Sequence, residues 1–296
     1  MKSQPQDSWW MGVQPPGGLL HGFASLSMPR FLMVAVPLTA VFLLAFALQY
    51  RAEVRAERAR LVAEETAVIE RSVHRAEREL EIASSDLRFV ADLVSEAVAD
   101  GDTDRLAGLE RNMLAFVRRR PGYFQIRFID ATGRELLAVE NTPGGPRVTP
   151  REELQDRRER GYFSDTMRLE PGDVFVSPMD LNVENGVLEE PYKPVVRFAT
   201  PIDDAAGRRQ GIVVLNAHGE HFLGAFERNV DENGIQRMIV DSNGYWLQHR
   251  PEVEWGFVLD HGRSFQNTFP EVWTQFRTRP RSGIESSDGL FYFETV

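Results

Sequence analysis

The sequence predicts a mixed α/β fold of the α+β kind, a long N-terminal helix leading into two antiparallel-sheet modules in series. Three observations carry this. Between Arg51 and Ala99 there is no proline or glycine, and small or apolar residues recur in alternating steps of four and three. After Pro121-Gly122 the apolar period becomes two. A strand, Asp-x-x-Gly, strand pattern then occurs at Asp130 to Gly133 and again at Asp241 to Gly244. Steps of three and four put side chains on one helical face, and a period of two puts them on one sheet face.

Residues 1–30, with Pro15-Pro16-Gly17-Gly18 and little periodicity, read as a disordered cytoplasmic tail. Residues 31–50 follow as a transmembrane helix: Phe31 to Leu48 is an apolar run of 18 residues without a charge, close to the roughly 20 that cross a bilayer core. Ala45-Phe46-Ala47 also fits a small-x-small cleavage site, but the apolar run exceeds the usual core of a cleaved signal. The reading is therefore a retained anchor. Arg51, Arg55, Arg58 and Arg60 follow the span and only Arg30 closely precedes it. Charge counting alone thus points the large domain inward, a rule that binds long domains weakly.

Residues 51–100 form one signalling and dimerisation helix. Its seam is Val62, Thr66, Ile69, Val73, Ala76, Leu80, Ala83, Leu87, Val90, Val94 and Ala97, a heptad that wants a partner. The half near the membrane is expected to pair with a second chain and the far half to lie along its own domain. Gly101-Asp102 ends it, and Thr103 to Arg118 reads as a shorter helix.

A first module, residues 101–228, follows. Tyr123 to Asp130 is a strand, Ala131-Thr132-Gly133 turns it, and Glu135 to Val139 returns as its hairpin partner. A charged helix is expected over Arg151 to Arg160. Strands recur at Val174 to Val176, Val195 to Thr200 and Gly211 to Leu215, and a helix over about Ala217 to Arg228. A second, incomplete module, residues 229–296, repeats the hairpin pattern 111 positions on. It stops in an apolar run, Phe291 to Val296, as a truncated sequence would. Trp246, Trp255 and Trp273 are most simply its core.

Composition removes several functions. The 296 residues are 42% hydrophobic and 26% charged, an ordinary globular balance. A net charge of -10 disfavours a nucleic-acid partner. With no cysteine there is no disulfide, thiolate metal site or cysteine nucleophile. Ser177 precedes Pro178 and sits in no Gly-x-Ser-x-Gly elbow, and the acidic pairs Asp203-Asp204 and Glu189-Glu190 lie beside turn residues. No enzyme site is recognisable and no cofactor is implied. Asp180-x-Asn182-x-Glu184 begins like a calcium loop, but Gly186 is one position late and Pro191 stands where the closing Glu belongs. His218 and His221 are three apart with no third ligand in view. No metal is expected.

With ERGYF, SPMDLNVENG, PYKPVVRFATP, GIVVLN, NGYWL and EWGF in this order behind an anchor and a long helix, residues 50–296 resemble the double Cache sensor domains of bacterial transmembrane receptors. The likeness is nearest to those of sensor histidine kinases and diguanylate cyclases. It implies two PAS-like sheets stacked end to end behind the helix. The domain then sits on the periplasmic or extracellular side of the inner (cytoplasmic) membrane, a small ligand binds in the membrane-distal module, and a further span leads to an output domain that this chain lacks. One Cache subgroup grips amino acids through an Arg-x-Trp-Tyr-like element and a later Asp that meets the ammonium. Arg160-Gly161-Tyr162-Phe163 partly matches the first, and Asn216 stands at the second. An amide supplies no countercharge, which argues against an ordinary amino acid.

The candidate ligand-binding residues are therefore Arg127, Arg160, Tyr162, Asp180, Asn182, Arg197 and Asn216. Arg160 suits a bidentate grip on a carboxylate, with Tyr162 as a wall and Arg127 or Arg197 adding charge. Asp180, Asn182 and Glu184 share a face if their segment is extended; alternatively, they bond their own backbone in a loop. Arg127 is either functional or a solvent-facing strand residue. Arg197 is structural if it pairs with Asp180 or Glu184. The expected function is a small-ligand sensor that relays binding along its helix in a homodimer. The alternatives are a membrane-anchored dimerisation or protein-interaction domain, or an extracytoplasmic enzyme.

Overall fold

The computed structural model describes residues 28–98, 103–184, 186–204, 206–226, 235–259, 262–279 and 281–295. The expected N-terminal tail, the helix stop at Gly101-Asp102 and the boundary between the two sheet modules lie outside them. The chain divides into two compact units, Met1–Glu64 and Glu65–Val296.

In the first unit every described residue belongs to α1 (Met28–Val98). Phe31, Leu38, Phe42, Leu44 and Phe46 are all exposed. The 18 apolar residues of this stretch span about 27 Å at 1.5 Å per residue, which matches the apolar thickness of a bilayer. Pro37 lies inside the helix.

The second unit opens with the far half of α1, and here the seam is buried by its own domain. Ala83, Leu87, Val90, Val94 and Ala97 join Leu109, Met113 and Val117 of α2 (Thr103–Arg119) in one core. That core lies on one face of an antiparallel sheet. β1 (Tyr123–Asp130) pairs with β2 (Glu135–Thr142), which pairs with β3 (Gly145–Val148). Asp130 sets the first turn: its Oδ1 accepts from the N–H of Thr132 (2.8 Å) and of Arg134 (3.0 Å). Gly133 has φ 92°, and a Cβ there would meet Arg158 Cα at 2.7 Å, so only glycine fits.

The charged helix expected over Arg151 to Arg160 is not formed. Only a 3-10 turn, Arg151–Glu153, remains, and the short α3 (Gly161–Thr166) starts later. The hairpin competes for this backbone: Glu135 N–H donates to the Gln155 carbonyl (3.0 Å) and Arg157 N–H to that of Gly133 (2.7 Å).

Four two-residue strands follow: β4 (Phe175–Val176), β5 (Asp180–Leu181), β6 (Val183–Glu184) and β7 (Val187–Leu188). The long β8 (Pro194–Asp203) and β9 (Arg209–His218) complete the sheet, in the order β3-β2-β1-β9-β8-β4, with β5 also on β8. β6 and β7 form a separate hairpin. The helix expected from Ala217 begins only at α4 (Gly219–Leu223). Ala217 and His218 instead extend β9, because His218 N–H donates to the Gly122 carbonyl (2.9 Å) and its backbone pairs with Val195.

The C-terminal part contains β10 (Ile239–Val240), β11 (Trp246–Gln248), α5 (Phe265–Thr268), α6 (Pro270–Phe276), β12 (Arg281–Ser286) and β13 (Gly289–Glu294). Trp246 and Trp273 pack with Phe265, Val272 and Ile284, and Trp255 packs with Leu181 and Leu247. Asp241 repeats the turn chemistry of Asp130, its Oδ1 accepting from Asn243 N–H (2.9 Å) and Tyr245 N–H (2.7 Å). Asp204, between β8 and β9, does the same with Ala206 and Arg208. The Asp-x-x-Gly pattern is therefore a recurring hairpin device, used at three turns among the described residues.

Candidate functional site

The two faces of the sheet have opposite character. Ile126, Phe128, Val196, Phe198, Val213 and Leu215 point at α1 and α2. The other face carries a smaller apolar cluster, Ile129, Ala199, Ile212 and Val214, covered by Phe163 and Tyr162 of α3. Beside it runs a polar row. Glu140, Gln125, Asn216 and Arg197 are register partners on β2, β1, β9 and β8, so their side chains share this face. A register shift between Tyr123 and Gln125 turns Tyr123 to the helix face and Gln125 to the polar one.

Gln125 is the hub. Its Oε1 accepts from Arg127 Nε (2.7 Å) and Nη2 and from Asn216 Nδ2 (3.0 Å), and its Nε2 donates to Glu140 Oε1 (3.1 Å). Arg127, buried, also donates through Nη1 to the Tyr162 hydroxyl (3.2 Å) and lies 3.5 Å from Glu135 Oε1. Glu135 serves Arg157 at 2.8 Å and accepts from Gln155 N–H at 2.9 Å. Arg127 is thus a buried, networked residue and not a solvent-facing one.

Arg197 is different. Its guanidinium lies 5.9 Å from the centre of the Tyr162 ring. Among the described residues no carboxylate or carbonyl accepts from it, so the expected ion pair with Asp180 is not formed; the Glu184 side chain lies outside the description. Burial, and after it the Arg127 guanidinium, lowers the Arg197 pKa from its ordinary value, Tyr162 and Asp180 opposing and Arg160 adding to the effect. An arginine keeps its proton in such a place, so the site holds a cation with no ion-paired carboxylate among the described residues. Arg160 precedes α3 with its side chain exposed and no ion pair among the described residues.

Asp180 pairs with Val195 in β5 and so shares the Arg197 face, while its Oδ1 accepts from Leu181 N–H (2.7 Å). Asn182 does not join this group. It lies between β5 and β6, its N–H donating to the Lys193 carbonyl (2.8 Å). The buried Asn182 donates to Glu189 Oε2 (2.8 Å), and Lys193 meets Glu189 Oε1 at 2.5 Å. Burial raises the Glu189 pKa, but the Lys193 and Asn182 hydrogen bonds outweigh it and leave the value lowered. Asn182 thus braces the hairpin beside the site.

Asn216 has an unmatched group as well: it is buried, and its Oδ1 has no hydrogen-bond partner among the described residues. The structure places Arg127, Asp180, Arg197 and Asn216 on this face with Tyr162 against it and Arg160 at the start of α3, and it adds Gln125 and Glu135, which sequence reasoning did not name. Gln125 was legible as the alternate-position neighbour of Arg127 on β1. Among the described residues no group of three metal-ligating side chains occurs.

A family model described as bacterial histidine kinase, sensor domain, matches residues 67–296. Among solved structures, the extracellular domain of the histidine kinase vpHK1S-Z8 is similar, with TM-score 0.66 and 19% identity over 79% of this chain and 88% of that one. A domain of a sensory box/GGDEF family protein from Vibrio parahaemolyticus gives TM-score 0.62 and 20% identity over 78% and 91%. The sensory domain of the Campylobacter jejuni chemoreceptor Tlp3 with isoleucine bound gives 0.52 and 9% over 76% and 83%. Identities this low carry the fold alone. Among curated proteins none matches.

Proposed function

The chain belongs to the family of bacterial histidine kinase sensor domains, and from that membership we propose that it senses a small carboxylate-type anion at the Arg127, Arg160 and Arg197 face. One observation carries the proposal: Arg197 is held among two other arginines with no anion to meet it among the described residues. A half-buried cation without an ion pair is costly, and a ligand carboxylate offsets that cost with charge-assisted hydrogen bonds. The isoleucine-bound chemoreceptor domain supports a small organic ligand for this fold.

The sensing unit stands outside the cytoplasmic membrane, anchored by residues 31–50, and signals to an output domain beyond this chain. Residues 101–228 act as the ligand-binding module and residues 229–296 as a second module. The relay starts in β1, whose two faces serve both ends of it. Gln125 and Arg127 belong to the ligand face, while the Tyr123 hydroxyl donates to Asp86 Oδ2 on α1 (2.8 Å), where Arg120 also meets Oδ1 (3.0 Å). Ligand binding shifts α1, and the half-buried Val62, Thr66 and Ile69 pair across a homodimer to carry the shift onward. The size of this coupling is bounded by the ligand's preference between the two states, typically about 1–3 kcal/mol.

The test is thermal unfolding of the 296-residue chain in detergent micelles against carboxylates, amines and neutral sugars. A carboxylate at about 100 times its Kd adds about 2.7 kcal/mol of stability. A response to amines or sugars with silence from every carboxylate removes the proposal.

A further inference from the structure

We infer that the sensed anion is a hydroxycarboxylate, whose carboxylate meets Arg197 while a hydroxyl of the same molecule donates to the carbonyl oxygen of Asn216. The inference rests on the anion reading above and narrows it to a chemical class.

The key group is the Asn216 side chain, 1% exposed, with its Oδ1 unpartnered. An amide's orientation is set by the network around it, and here the network leaves one choice. Glu140 is tied to Arg147 (3.1 Å) and only accepts, so it takes the Gln125 Nε2 end. Arg127 only donates, so it takes the Gln125 Oε1 end. That oxygen also faces Asn216, and only Asn216 Nδ2 can face it in return. Turning Asn216 over would set two acceptors together. Turning Gln125 as well would press its amide hydrogens on Arg127 and its oxygen on Glu140. The orientation is fixed from Glu140 through to Asn216, and the chain of bonds ends in an acceptor with nothing to accept.

Directly across the ladder, in register with Asn216, stands Arg197, a donor group with nothing to receive it among the described residues. Side chains so paired start about 5 Å apart, within reach of one small molecule. The ligand must therefore bring an anion and a hydrogen-bond donor close together. An ammonium donor would enter beside Arg127, Arg160 and Arg197 with Asp180 as its nearby counter-ion, and Asp180 already accepts from Leu181 N–H. A hydroxyl donates without adding positive charge. The Tyr162 ring, set beside Arg197 and tied to Arg127, is the cover that moves to admit the ligand.

The experiment is isothermal titration of the full chain in micelles with matched acids: glycolate, acetate and glycine; lactate, propionate and alanine; malate, succinate and aspartate. In at least one set the hydroxy acid is expected to bind about tenfold or more tightly than its deoxy and amino counterparts. Asn216→Ala is expected to bring the hydroxy and deoxy acids to within about twofold while carboxylate binding persists. Equal binding of hydroxy and deoxy acids overturns the hydroxyl contact and leaves the anion reading standing. Tightest binding of the amino acids overturns it too, and no binding of any acid overturns both.

Discussion

Arg197 and Asn216 face each other across β8 and β9 in register; among the described residues the first meets no anion, and the second keeps a buried carbonyl oxygen with no donor. Folded proteins satisfy nearly all such groups, and these two complementary needs on adjacent strands are what the proposed ligand would meet. The opposite face of the same strands carries Val196, Phe198, Val213 and Leu215 in the helix-side core.

Removing the unmatched charge should stabilise the empty protein. Arg197→Met keeps much of the side-chain volume and discards a half-buried cation without an ion pair, so the expected gain is about 1 kcal/mol, or about 2–4 °C in Tm. The same variant should lose its thermal response to carboxylates. Differential scanning calorimetry with and without ligand checks both.

Glu135 is the opposite case. It is buried, pairs with Arg157 and stands 3.5 Å from Arg127, so Glu135→Ala leaves buried guanidiniums without their carboxylate. The expected loss is about 3–5 kcal/mol, read by urea unfolding, with loss of ligand response following from the loosened Arg127.

Acid should weaken the fold through His218. Burial, then Lys193 and His221, lowers its pKa, with Glu220 and Glu189 opposing; its ring also packs 5.0 Å from that of Phe124. A histidine kept neutral in the fold and readily protonated in the unfolded chain contributes stability above the unfolded value near 6.5, which is lost as pH falls through the lower folded value. Tm should therefore drop between about pH 7.5 and about pH 5, and His218→Phe should flatten part of that slope. His249, lowered by burial and then Arg250, supplies a parallel share.

Tyr123 links the ligand strand to α1. Its buried hydroxyl is held un-ionised, its pKa raised by burial and then by the bond to Asp86. Tyr123→Phe removes that bond at an expected cost of about 1 kcal/mol. Ligand binding should persist while any ligand-dependent change in disulfide crosslinking of cysteines placed at Val62, Thr66 or Ile69 diminishes.

The long helix, the strands of the main sheet and the Asp-x-x-Gly turns were legible because each rests on local pattern: a four-three seam, a period of two, or an aspartate that caps its own turn. Ala217 and His218 read as helix because the ladder partner that extends β9 is Val195, distant in sequence. Arg151 to Arg160 read as helix because nothing local reveals that Gln155 and Arg157 are hydrogen-bonded to the β1-β2 hairpin. At the candidate site, residue type and charge singled out Arg127, Arg197 and Asn216, which the structure places on one sheet face. The Gln125 hub required cross-strand register, as did the bond from Asn182 to Glu189, which joins residues seven apart.

The most direct measurement is the Kd of the best-binding carboxylate for three forms of the full chain: unaltered, Arg197→Met, and Arg168→Ala as a control at an exposed arginine that faces Asp165. Loss of a charge-assisted contact predicts weakening of about 10- to 100-fold for Arg197→Met and no change for Arg168→Ala. Unchanged affinity in Arg197→Met would contradict the account, because the unpaired guanidinium would then not be what the ligand completes.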